Sequence, residues 1–158
     1  MDGSNSEPTC TASAVHLDFN TMNQTMLFEL SQSFTFDAAH TLTRTVPLVE
    51  YQSSKRIHGH TYTAEVVIRG LPGASGMLEI KQDGKKKPVV VDLFVLKGAI
   101  EKVRSKLDHH FLDEVEGLGA ATLENLCVFI ANEIGAHLPV GSVVVSRHAG
   151  DKCRLSLC

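Results

Sequence analysis

The chain has 158 residues, 43% hydrophobic and 21% charged, with a formal net charge of -3. That composition suits one globular domain with a real core, and the near balance of acid and base leaves no broad cationic footprint for nucleic acid. No run approaches the roughly 18 apolar residues of a membrane helix, and the polar start MDGSNSEPTCTAS lacks a signal peptide's basic and apolar regions. The expectation is a soluble cytoplasmic protein that meets neither nucleic acid nor membrane.

Residues 1–25, rich in Ser, Thr and Asn and without periodicity, are expected to be a disordered leader, with residues 26–158 as a single domain. From Met26 the pattern turns β-like and a first strand ends near His40. A polar loop follows, holding Pro47. A second strand covers residues 58–70 and closes on Gly70-Leu71-Pro72-Gly73, a turn signal. Residues 76–88 suggest a hairpin tip at Asp83-Gly84, with Lys85, Lys86 and Lys87 as a solvated edge, before Val89, Val90 and Val91 return as strand.

The period then becomes helical. Asp92 is a candidate N-cap, and Leu93, Leu96, Ile100, Val103 and Leu107 make an apolar stripe. A second helix spans residues 122–137, with Leu123, Leu126, Cys127, Ile130 and Ile134 on one face and Pro139 beyond its end. Two short strands, residues 140–146 and 154–158, meet at the Ala149-Gly150-Asp151 turn. This order predicts an α+β fold: an antiparallel four-stranded sheet plus a small hairpin, with two helices on one face. Cys10, Cys127, Cys153 and Cys158 form no C-x-x-C pair, so no disulfide framework is expected.

The strongest chemical signal lies among the eight histidines. His58 and His60 flank Gly59 at the start of a strand, where residues two apart share a face and both imidazoles can converge. Such a pair alone is weak. His40 ends the preceding strand, so antiparallel pairing would bring it beside them. Three neutral imidazoles with a fourth position open are the donor set of catalytic Zn²⁺. A second cluster, Asp108-His109-His110, closes the first helix. There an Asp can orient an imidazole for proton transfer, or a His can simply meet the helix dipole, since neighbouring side chains rarely bond each other directly.

Five segments carry a family resemblance: Phe36-Asp37-Ala38-Ala39-His40, Ile57-His58-Gly59-His60-Thr61-Tyr62, Val91-Asp92-Leu93, Leu107-Asp108-His109-His110-Phe111-Leu112 and Thr122-Leu123-Glu124-Asn125. From about residue 27 to its end the chain resembles the 6-pyruvoyltetrahydropterin and 6-carboxytetrahydropterin synthase family. The resemblance implies the tunnelling fold, in which subunit sheets join into a β-barrel, commonly as a homo-hexamer of two stacked trimers with active sites between subunits. It implies Zn²⁺ on His40, His58 and His60. It also implies a pterin-like small-molecule substrate, 7,8-dihydroneopterin triphosphate, from which triphosphate is eliminated. In that family zinc polarises side-chain oxygens of the substrate while a Cys and an Asp-His pair move protons. Asp108 and His109 match that pair.

Two positions depart from the family pattern. Ser54 stands where the proton-moving Cys belongs, and a hydroxyl is far less acidic than a thiol. A zinc-activated Ser54, or Glu50 on the same loop, is a candidate substitute. Arg147 stands where a Glu would accept hydrogen bonds from the pterin's amino group and ring N–H, and a guanidinium has donors only. An alignment shift that gives Asp151 the Glu's place is the alternative. Thr122 keeps the position of a pterin-holding loop. The resulting expectation is a zinc-dependent carbon–oxygen lyase on dihydroneopterin triphosphate or a related pterin, with Asp108, His109 and Ser54 catalytic and Thr122 and Arg147 binding substrate. The alternatives are a zinc enzyme on a different small molecule read by Arg147, or a non-catalytic zinc-binding paralogue.

Overall fold

A computed structural model of the chain describes residues 27–41, 55–80 and 88–157. The expected leader, the loop with Glu50 and Ser54, and the Asp83-Gly84 hairpin tip lie outside these residues. Strand β1 (Phe28–His40) and strand β2 (His58–Pro72) form a long antiparallel ribbon, paired from Phe28 opposite Gly70 to His40 opposite His58. Strand β5 (Val140–Arg147) pairs with β2, Tyr62 opposite Arg147, and strand β6 (Lys152–Ser156) pairs with β5. The four strands stand in the order β1-β2-β5-β6, all antiparallel.

The turn signal after Gly70 does not end β2. The strand continues to Pro72, where Leu71 and Pro72 pair with Glu79 and Leu78 of strand β3 (Leu78–Ile80). The reversal comes at residues 73–77, closed by the Gly73 N–H on the Met77 carbonyl at 2.8 Å and by Gly76 at φ 77°. Proline is tolerated there because it sits at the strand's last position, where a missing N–H breaks no continuing ladder. Strand β4 (Val89–Val91) then pairs with β3 and completes the small hairpin.

Alternation sorts the ribbon's two faces. Phe34, Phe36, Ala38 and His40 of β1, and Tyr62, Ala64, Val66 and Ile68 of β2, are buried on one face. Ser31, Ser33, Thr35, Asp37, Thr61 and Thr63 are exposed on the other. Helix α1 (Leu93–Leu107) covers the buried face with Leu96, Ile100, Val103 and Leu107, and helix α2 (Leu123–Gly135) with Leu126, Cys127, Ile130 and Ile134. Each helix begins at a side-chain cap: Asp92 accepts from the Val95 N–H at 2.9 Å, and Thr122 from the Asn125 N–H at 3.2 Å. Such caps satisfy donors that the first turn leaves without partners.

The apolar stripe holds except at Leu93, which is 49% exposed in an open hollow shared with Phe28, Leu30 and Leu78. Phe94 beside it is 84% exposed. Helix α2 stops at Gly135, short of residue 137, where the chain turns toward β5. No helix among the described residues is long and apolar enough to cross a membrane.

Candidate metal centre and adjoining cavities

The β1–β2 register brings His40 and His58 opposite each other, with His60 one pleat along on the same face opposite Ala38. One nitrogen from each of His40, His58 and His60 lies within 4.8 Å of the other two. His40 is 2% exposed at the end of β1. The residue after it is clamped: the Thr41 N–H donates to both Asp113 carboxylate oxygens at 3.1 and 3.3 Å, and the Thr41 hydroxyl donates to the same group.

The imidazoles are oriented from behind. His40 Nδ1 lies 3.3 Å from the Thr41 carbonyl and His58 Nδ1 lies 2.8 Å from the Arg56 carbonyl. Each carbonyl favours the Nδ1–H tautomer and leaves Nε2 with a free lone pair. Nε2 of His40 and Nε2 of His60 are buried and have no hydrogen-bond partner. A buried nitrogen without a partner is costly, and a bound cation removes that cost at both positions. Burial, and then the neighbouring His58 and His60, push the pKa of His40 down; burial, and then Arg147, do the same for His60. Neutral imidazoles are the form that binds metal. The donor set therefore fits a Zn²⁺-like ion.

Tyr62 backs the centre. It is 1% exposed, stacks on Phe36 with ring centroids 4.9 Å apart, and meets His60 edge-on at 5.8 Å. Burial pushes its hydroxyl pKa up to about 12, so it stays protonated.

Asp108 and His109 do bond each other, contrary to the usual geometry of chain neighbours: His109 Nδ1 lies 3.1 Å from Asp108 Oδ1. The cause is His109's left-handed backbone, φ 61°, which folds the chain back after α1. The fold-back is held by the His109 N–H on the Asp37 carbonyl at 2.6 Å and the Ala39 N–H on the His110 carbonyl at 3.3 Å, so this segment runs along the edge of β1. Asp108 also accepts from the Asp37 N–H at 3.0 Å and from Arg104 at 3.2 Å. The Asp37 N–H holds the Asp108 carboxyl below the usual carboxylate range, with His109 and Arg104 adding to the effect. Arg104 was not singled out from sequence, although its spacing of four residues from Asp108 on α1 is a readable signal.

Two hollows flank the triad. One, of about 590 Å³, is lined by Asp37, Gly59, His60, Thr61, His109 and Phe111 among others. The other, of about 340 Å³, is lined by His40, Tyr62, Thr122, Arg147 and Cys153 among others. Thr122 and Arg147 thus meet at a cavity that also holds a member of the triad, whereas His109, of the Asp108–His109 pair, lines the first hollow. Asp151 does not line the second cavity; it is ion-paired with Arg147. Ser54 lies outside the described residues. Tyr62 and Cys153 were not singled out as lining residues, because their place there depends on the registers of β2, β5 and β6.

An α+β sheet carrying a three-histidine cluster between two hollows defines a small fold with a candidate metal site, and comparison with known proteins gives its family. The family model for 6-pyruvoyl tetrahydropterin synthase matches residues 29–156, and the chain belongs to this family, whose members process pterins. A dihydroneopterin monophosphate aldolase of Pyrococcus furiosus is 33% identical over 112 residues, covering 71% of this chain and 78% of that protein. A 6-carboxy-5,6,7,8-tetrahydropterin synthase of Synechocystis is 31% identical over 100 residues, covering 63% of this chain and 68% of that one. Among solved structures, the 6-pyruvoyl tetrahydropterin synthase of Caenorhabditis elegans superposes with a TM-score of 0.65 at 20% identity, covering 84% of this chain and 97% of that one. The architecture is the tunnelling fold of these neighbours.

Proposed function

We propose that the chain is a Zn²⁺-dependent lyase that eliminates the phosphorylated leaving group from 7,8-dihydroneopterin triphosphate or a related pterin ester. The observation that carries this reading is the triad itself: Nδ1 of His40 and of His58 turned to backbone carbonyls, and buried Nε2 atoms of His40 and His60 without partners. A divalent ion held there supplies Lewis acidity to oxygens on the substrate's side chain. His40, His58 and His60 would hold it, and Tyr62 packs edge-on against His60.

Asp108 fixes the proton of His109 on Nδ1, so Nε2 is the atom that takes up or returns a substrate proton. The left-handed backbone at His109 is a strained conformation of the sort that collects at functional sites. Ser54 takes the remaining proton-transfer position by its place in the sequence. Thr122 and Arg147 contact the substrate from the 340 Å³ cavity. Within the described residues β6 leaves one edge unpaired and Phe94 is exposed, which supports assembly of the subunits into a homo-hexamer that covers both.

The test is triphosphate release from 7,8-dihydroneopterin triphosphate by zinc-loaded protein. Release well above a zinc-stripped control is expected. Equal rates in the two would refute the reading, and a protein that binds zinc without turnover would leave the two alternatives, a zinc enzyme on a different small molecule or a non-catalytic paralogue.

A further inference from the structure

The lining of the 340 Å³ cavity includes two cationic side chains, Arg147 and the exposed Lys152. Arg147, at the end of β5, has a buried Nε without an acceptor, while its Nη2 is tied to Asp151. Asp151 stands outside the lining, so it pins the guanidinium without filling the cavity with negative charge. Across from it α2 begins: Thr122 caps the Asn125 N–H, and the N–H groups of residues 123 and 124 have no intrahelical acceptor. His40, 2% exposed, also contributes to the lining, with its Nε2 lone pair left to the metal. The carboxylate in the lining, Glu124, is exposed.

A guanidinium offers five N–H donors and no acceptor, so it cannot pair with an edge made of an amino group and a ring N–H. It does match two oxygens of one carboxylate or phosphate, a group that a helix N-terminus also favours. We propose that this cavity receives an anionic group carried by the substrate, a carboxylate or a phosphate, and that Arg147 is the residue that selects it. The inference deepens the pterin-ester reading above and rests on its placement of substrate beside the triad. It reverses the polarity of recognition: the substrate's acceptor end, rather than its ring donors, enters the cavity.

The test is calorimetric titration of the zinc-loaded protein and of Arg147→Met with four probes: 7,8-dihydroneopterin, its triphosphate, 6-carboxypterin and inorganic phosphate. The wild type should bind the triphosphate or the 6-carboxypterin at least about tenfold more tightly than dihydroneopterin, the margin of one charge-assisted contact, and Arg147→Met should abolish the margin. Which of the two anions gains tells phosphate from carboxylate. Equal binding of charged and uncharged pterins, unchanged in Arg147→Met, overturns the inference and leaves the pterin reading standing. Arg147-dependent binding of phosphate alone, with no pterin bound, supports the inference and overturns the pterin reading. No binding by any probe overturns both. Should Arg147→Met fail to fold, Arg147→Lys keeps the charge without the fork: several-fold weaker anion binding supports the inference, and unchanged binding opposes it.

Discussion

Tyr62 joins the packing of the sheet to the metal ligands, so its removal should register in both. Its ring lies against Phe36 at 4.9 Å and against His60 at 5.8 Å, and only 1% of the residue is exposed. A buried aromatic covers about 150–250 Å², so at about 25 cal/mol per Å² its loss costs at most about 4–6 kcal/mol. Aromatic-to-alanine changes in cores cost about 3–5 kcal/mol, and the 340 Å³ cavity beside Tyr62 gives the neighbours nothing to collapse onto. Tyr62→Ala should therefore lower stability by about 3–5 kcal/mol, roughly 10–15 °C in melting temperature for a domain of this size. Zinc affinity should also fall by about tenfold or more, since His60 loses the wall that orients it. Tyr62→Phe keeps the ring and should cost about 1 kcal/mol or less, with zinc affinity unchanged. Urea denaturation of the metal-free protein gives the first quantity and competition with a chelator gives the second. A Tyr62→Ala protein within about 1 kcal/mol of wild type would refute the packing argument. Lost stability with unchanged zinc affinity would show that packing and ligand orientation are independent.

Burial depresses the pKa of His40 and of His60, so between the ordinary value of 6.5 and their lower folded values the unfolded chain binds more protons than the folded one. Metal-free protein should then be most stable above pH 6.5 and lose stability as pH falls below it, and zinc affinity should decline over the same interval. Thermal melts from pH 8 to pH 5 check this, and a flat profile across that range would contradict it. Asp108→Asn removes the charge that fixes and stabilises the proton on His109. The rate of triphosphate release should fall by about 10²–10⁴, the span of general acid–base contributions, with zinc content unchanged. An unaltered rate would remove the pair from the chemistry.

Much of the scaffold was legible because local rules and tertiary packing agree. Asp92 and Thr122 cap the helices they precede in the sequence, and the stripe at residues 96, 100, 103 and 107 is the stripe that the core buries. Strand alternation was enough to place His58 and His60 on one face, and the β1–β2 ladder delivers His40 opposite His58 on that same face. What local reasoning missed depends on contacts between distant segments. Gly70-Leu71-Pro72 has the composition of a turn, yet pairing with β3 keeps it extended. The Asp108–His109 contact needs a left-handed residue that only the docking of that segment on Asp37 and Ala39 sustains. Arg147, by contrast, was the reading the sequence put first, and it lines the 340 Å³ cavity while its alternative Asp151 is ion-paired with it outside the lining.

The central claim is that His40, His58 and His60 together bind a metal ion, and X-ray absorption at the zinc edge, joined to metal analysis of the purified chain, tests it most directly. The predicted result is one zinc per chain, coordinated by three imidazole nitrogens at about 2.0–2.1 Å and one further light ligand, and lost in His58→Ala. Absence of zinc from protein supplied with it, a sulfur neighbour at about 2.3 Å, or full retention of zinc by His58→Ala would contradict the account.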